Sequence, residues 1–339
     1  MPTPSGQTFA TNTIRRTFLR AASSRFLEDL RLEHRKSGIG AAIQARDTSR
    51  LFQWMVATLS YQGISNRVAT AFMDKHGKIG WRDVRRIVGG GDGCPKLQSH
   101  WHFDHCGYRK EAATCAMPEL METCGLPRFP LRNGRLNQTA VSLFLFIRDI
   151  ADGDLVGWID GQLQQQADRP AQERTAALLE PMRHIYGVSD KVLSMLLATL
   201  LLGVGKRRPL WFETGASFVA IDTLVHNYLH RTGVLTALGS EHPYGVHCYG
   251  PNGCAAAIQR ACEHIDASVF DSAFPRYFPR LVQHALWRFC AQGEFDVCNG
   301  NRIDDRKSCQ NRYCSDFLNC RRIAVNPQKT PQNRRFQAH

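Results

Sequence analysis

Four cysteines near the end of the chain constrain it most. Cys298, Cys309, Cys314 and Cys320 fall within 23 residues, spaced C-x10-C-x4-C-x5-C, in the basic, hydrophilic stretch CNGNRIDDRKSCQNRYCSDFLNC. Thiols this close can surround one metal centre, and thiolate sulfur selects zinc or an iron–sulfur cluster. Cys290 is a possible substitute for Cys298, but its place in a helical stretch favours packing. The other cysteines do not suggest a disulfide scaffold: twelve in 339 residues are too sparse. The N-terminus shows no apolar segment before a small-residue cleavage site, so the expected state is reduced thiols, with clustered ones binding metal.

A chain of 339 residues with 43% apolar side chains has room for two globular domains and a sizeable core. The net charge of +13 favours a polyanionic partner such as nucleic acid, or an acidic membrane surface; a merely basic soluble protein is the plainer alternative. The longest apolar run, Val192–Leu202, is too short to span a bilayer. The segment TNTIRRTFLRAASSRF is rich in Arg and Ser, as transit peptides are. Glu28 and Asp29 follow it at once, and it also reads as an ordinary amphipathic helix, so mitochondrial targeting is not expected.

Helical periodicity dominates. Leu51–Phe72 reads as two helices joined at Ser60–Ile64, and further helices are expected over Thr139–Ile150, Asp154–Gln166, Arg174–Tyr186, Lys191–Leu202, Asp222–Arg231, Cys254–Ile265 and Tyr277–Ala291. Residues 203–216 read as a polar, glycine-containing insertion. No internal repeat and no convincing strand alternation appears, so the expected fold is all-α. The GGGDG run at Gly89–Gly93 opens a stretch holding Cys94, His100, His102, His105, Cys106, Cys115 and Cys124. Cys94, Cys106, Cys115 and Cys124 could form a second four-thiolate site, or one histidine could replace a thiolate around zinc. The spacings lack a C-x2-C knuckle, and buried free thiols with surface histidines are the alternative. Cys248, Cys254 and Cys262 read as structural.

Two further residues invite chemistry. Gly187-Val188-Ser189-Asp190-Lys191 is a glycine turn feeding a helix start, where backbone N–H groups and the helix dipole can hold a phosphate. Lys191 precedes VLSMLLATLLL, a helix apolar nearly all round. A lysine desolvated there is a nucleophile toward carbonyl carbon; the ordinary reading lays its stem on the helix and its ammonium in water. Asp222, in FVAIDTLVHNYL, reads as a helix N-cap, and a carboxylate so oriented can also move a proton or stabilise a cation.

Taken in order, these residues resemble the helix-hairpin-helix DNA glycosylases of the endonuclease III type. The hairpin is IYGVSDK (Ile185–Lys191), the aspartate segment AIDTLVHNYLHRTG (Ala220–Gly233), and the four-cysteine loop follows. LSYQGISNRVA (Leu59–Ala69) resembles the segment that places a glutamine, here Gln62, in the DNA stack. The chain departs from the family in three places. Ser189 stands for the second hairpin glycine, Lys191 and Asp222 are 31 positions apart, farther than in the family, and only the last cysteine interval matches.

The resemblance implies two helical domains flanking a DNA-binding cleft. Residues 1–50 would pack with the C-terminal domain. Residues 51–222 would hold the hairpin at 185–191 and the insert at 89–130. Residues 223–325 would carry the loop 298–320, and 326–339 a basic tail. It implies base-excision repair of damaged, oxidised bases with abasic-site lyase activity. Lys191 would attack the sugar, Asp222 would assist, and Gln62, Gly187, Ser189, Lys206 and Arg207 would contact DNA. Cys298, Cys309, Cys314 and Cys320 would hold a [4Fe–4S] cluster, with zinc the alternative, and a second metal would sit in the insert. The implied partner is double-stranded DNA carrying a lesion or an abasic site. The protein would act as a monomer, away from membranes, in the cytoplasm and, in a bacterium, at the nucleoid. A non-catalytic or mono-functional DNA binder on the same scaffold is the rival reading.

Overall fold

Thr3 followed by Pro4 starts the first helix: the Thr3 hydroxyl accepts from the Gly6 N–H at 3.2 Å, and Pro4 occupies the first helical position, where its missing N–H costs nothing. The computed structural model describes residues 3–59, 66–76, 79–90, 93–104, 106–109, 114–126, 134–299 and 303–327. Its helices are α1 (Pro4–Ala21), α2 (Phe26–Ser37), α3 (Ile39–Gln44), α4 (Thr48–Leu59), α5 (Asn66–His76), α6 (Trp81–Gly89), α7 (His100–Phe103) and α8 (Gly134–Asp149). They continue with α9 (Leu155–Gln165), α10 (Ala171–Met182), α11 (Asp190–Gly203), α12 (Pro209–Ser217), α13 (Thr223–Arg231), α14 (Val234–Ala237), α15 (Cys254–Cys262) and α16 (Pro279–Cys290). The described residues contain no strand, only the isolated bridge between Arg109 and Thr114, so the protein is mainly α-helical.

The chain divides into two compact units, one of residues 25–220 and one combining residues 1–24 with 221–339. In the first, α11 packs against α2, α4, α10 and α12. Its Leu193, Leu196, Leu197, Leu200, Leu201 and Leu202 are all buried, as expected of a helix apolar on every side. Phe52, Trp81 and Phe144 interlock where α4, α6 and α8 meet. Arg174 of α10, 4% exposed, donates to Thr214 Oγ1 at 3.1 Å and to Glu213 Oε2 at 2.6 Å on α12, which satisfies a buried charge.

Residues 203–216 do not loop out as the sequence suggested. Gly205–Arg207 forms one 3-10 turn, then Pro209 opens α12, which buries Trp211, Phe212 and Ala216. The Trp211 indole N–H donates to Asp160 Oδ1 at 2.6 Å and Arg208 pairs with the same carboxylate, tying α12 to α9.

In the second unit α1 packs on α14, α15 and α16, and α13 on α14 and α16. The Tyr228 and Thr17 hydroxyls share a buried hydrogen bond of 2.7 Å. Asp316, in the cysteine-bearing tail, is buried against Arg16, Arg20 and Thr17 of α1. The N-terminal helix thus holds the C-terminal tail.

Candidate functional site

The turn between α10 and α11 is clamped from α8. The Tyr186 carbonyl accepts from Thr139 Oγ1 at 2.8 Å, and the Tyr186 N–H donates to Ser142 Oγ at 2.9 Å. The next residue, Gly187, has φ +75°, a conformation that strains any residue with a Cβ. Ser189 takes the N-cap position of α11, but its side chain accepts no capping bond. Helix starts of this form offer amides to an anion. Asp190 is held by Arg183 through bonds of 2.8 and 3.0 Å, and its carboxylate raises the guanidinium pKa. Lys191, the second residue of α11, is half-buried rather than enclosed. Gln62 lies outside the described residues.

Lys206 and Arg207 are exposed and line a cavity of about 730 Å³ with Arg31, Arg35 and Arg208. Five cationic side chains around one hollow favour a polyanion, and such phosphate contacts carry no sequence information. His34 closes one wall; its Nε2 lies 2.8 Å from the Thr199 carbonyl, and burial lowers its pKa. From the basic end of the chain, Arg321 and Arg322 stack on Phe9 and Phe317, which ties them to packing.

Asp222 is the N-cap of α13, its Oδ1 accepting from the Val225 N–H at 2.9 Å. The carboxylate is half-buried. Burial raises the Tyr244 phenol, with the Asp222 charge adding to the effect. Burial pulls Arg280 down to about 10, opposed by Tyr249 and Asp222. The Tyr249 hydroxyl accepts from the Ile221 N–H at 2.8 Å, so the peptide entering Asp222 is fixed from a second segment.

The opposite end of α13 meets the tail thiols. Cys298, Cys309, Cys314 and Cys320 all line one small cavity, with Tyr228, Phe289, Ile303 and Phe317 as its apolar walls. Arg231, 2% exposed, donates from Nη1 to Cys298 Sγ at 3.2 Å and pairs with Asp305. A hydrogen bond from Cys290, followed by the Arg231 charge, lowers Cys298 to about 7. Cys290, fully buried at the end of α16, lies beside Cys298. Burial pushes Cys320 up to about 11 and raises Cys314, with the neighbouring sulfurs adding to both. The Arg322 N–H donates to Cys320 Sγ at 3.3 Å. Arg321 and Ile323 donate backbone bonds to Thr232 and Arg231, which seats the tail on the end of α13.

In the insert, Cys106 is buried and its thiol raised by desolvation; the Tyr108 amide opposes this, and the charges of Cys115 and Cys124 add to it. The Met117 N–H donates to Cys115 Sγ at 3.4 Å. Cys106, Cys115 and Cys124 are therefore neighbours, while Cys94 precedes the separate turn Pro95–Leu97. His100 is packed against Trp101 and Phe146, His102 is exposed on Ser99, and His105 lies outside the described residues.

The structure also assembles a group that the sequence reading missed. His226, His242, Cys248 and Cys254 bring one ligand atom each within 4.8 Å of one another, a set able to hold a metal ion. The sequence reading left Cys248 and Cys254 as structural. The available signal was H-x15-H-x5-C-x5-C, whose long first interval hides the group. A hydrogen bond from Cys254 pulls the Cys248 thiol down to about 4. Comparisons of the chain with protein families, with curated proteins and with solved structures find no match. Among the described residues no helix is long and apolar enough to cross a membrane.

Proposed function

We propose that the protein is a base-excision DNA glycosylase with associated abasic-site lyase activity. The observation that carries this reading is the tail: four thiols spread over 23 residues line one cavity at the end of the helix that Asp222 caps. The left-handed Gly187 before Lys191 and the basic hollow around Lys206 and Arg207 support it. The hairpin and that hollow would hold the DNA backbone without reading sequence, and a damaged base would be flipped out of the stack before its bond is cut. The Lys191 amine would attack C1′ of the sugar and the damaged base would leave with the bonding electrons. Asp222 would take the amine's proton and balance cationic character at the sugar. The Schiff base that follows activates the 2′ proton, and β-elimination then breaks the strand on the 3′ side.

The donor set fits a [4Fe–4S] cluster. All four donors are sulfur, which suits an iron–sulfur cluster, with zinc the alternative for the same four thiolates. Such a cluster would fix the basic tail against α13. Incubation with borohydride and a duplex carrying an abasic site tests the reading. A covalent adduct is expected, lost in Lys191→Gln while DNA binding persists. Binding without an adduct would reject the lyase and leave a non-catalytic or mono-functional DNA binder.

A further inference from the structure

The segment Glu241–Asn252 lacks a core of its own. Cys248 is its one buried residue, while Tyr244 and Val246 are 45% and 82% exposed. Yet the segment is held closely: Gly253 passes so near the carbonyls of His247 and Cys248 that a Cβ there would strike both. Apolar burial does not explain this order, and the side chains at its edges offer another cause. His226 comes from the first turns of α13, His242 from the start of the segment, Cys248 from its 3-10 turn Val246–Tyr249, and Cys254 from the first position of α15.

We propose that His226, His242, Cys248 and Cys254 form a four-coordinate site for one structural zinc ion, which pins residues 240–253 between α13 and α15 beside Asp222. The distances fit. Zinc bonds of about 2.0 Å to nitrogen and about 2.3 Å to sulfur, at tetrahedral angles, set nitrogen and sulfur ligands about 3.5 Å apart. His226 Nδ1 lies 3.3 Å from Cys254 Sγ and 3.5 Å from Cys248 Sγ, and His242 Nε2 lies 3.4 Å from Cys254 Sγ. All four donor atoms are mutually close, the arrangement of a tetrahedron rather than a hydrogen-bonded chain. One ring N–H on His226 cannot point at two sulfurs at once, whereas one lone pair can point at an ion between them.

The outer contacts agree. His242 Nδ1 lies 2.6 Å from the Ser240 carbonyl, which fixes the proton on Nδ1 and leaves Nε2 as the donor, the usual second contact of a metal-bound histidine. Two imidazoles with two thiols favour zinc over magnesium or calcium, which prefer oxygen. His226, Cys248 and Cys254 are buried and His242 is half-buried, so the four-ligand site is closed, as structural zinc sites are.

Metal analysis of the full-length protein tests the proposal without reference to DNA, so its failure and that of the glycosylase reading are distinguishable. Zinc and iron are measured per chain after dialysis, in the native protein and in Cys254→Ser and His242→Asn. One zinc equivalent is expected in the native protein and its loss in both variants, with iron unchanged. Because Cys254 lies in the core, His242→Asn at its half-buried loop position is the decisive variant, read with circular dichroism to show an unchanged helix content. Cobalt in place of zinc should give the visible bands of a tetrahedral site with sulfur and nitrogen ligands, weakened in His242→Asn. Equal zinc in all three proteins would place the metal elsewhere and overturn the assignment. So would a zinc-free native protein in which residues 240–253 resist proteolysis.

Discussion

The two cysteine sets visible in the sequence meet different fates. In the tail, Cys298, Cys309, Cys314 and Cys320 line one cavity. In the insert, Cys115 and Cys124 lie near enough to Cys106 to add to the rise of its thiol, while Cys94 heads a separate turn. The difference lies in what each stretch docks on. The tail rests on α13 through Arg231 and Thr232, and on α1 through Asp316. The described residues of the insert form two 3-10 turns, the four-residue α7 and one isolated bridge. Close spacing makes ligands available; a rigid surface beneath them makes a site.

Arg231 offers the severest way to break that comparison. Its guanidinium is buried between Cys298 and Asp305, and replacing it with leucine strands both anions. Removing one partner of a buried pair costs about 3–5 kcal/mol. Arg231→Leu should lower stability to denaturant by that amount and, if the tail thiols hold the proposed iron–sulfur cluster, bleach its broad visible absorbance. Retained colour and stability would show that the tail does not depend on its seat at α13.

A smaller effect is expected in the insert, where the two thiols should respond unequally. Cys106→Ser places a hydroxyl in a buried apolar position and removes a sulfur that accepts from the Tyr108 amide. It should destabilise by about 1–2 kcal/mol and lower any metal held there. Cys94→Ser, at a half-buried turn position, should stay within about 0.5 kcal/mol and leave the metal content unchanged. Equal losses from both would make Cys94 a fourth ligand and erase the contrast with the tail.

What was legible in the sequence follows from locality. The long helices were readable because their signals are local: α11 is apolar on all sides, and α13 begins at an aspartate. The turn at Gly187 announced itself by composition. Helix α12 was hidden behind the polar run Lys206–Pro209, although Pro209 itself marks a helix start and Trp211 and Phe212 follow it. Thiols of the tail share a short segment, so their meeting could be anticipated. His226 and His242 are sixteen positions apart and come together only because the chain turns back on α13. Lys191 follows the ordinary reading of such a position: an apolar helix is buried along its length, but its first turn, with this lysine, is half in solvent.

The smallest stability change is expected at the start of α13, opposite the tail. Asparagine caps a helix about as well as aspartate, so Asp222→Asn should keep the bond to the Val225 amide and shift stability by less than about 0.5 kcal/mol. Asp222→Ala removes that bond and should cost about 1 kcal/mol. If the carboxylate acts on a proton or a developing cation, both variants lose base release alike, by roughly a hundredfold or more. Any chromophore of the proposed cluster should be unaffected in either, because the Arg231 end of the helix is untouched. An Asp222→Asn protein with full activity would reduce this residue to a cap. Loss of activity with stability and colour intact would separate chemistry at one end of α13 from architecture at the other.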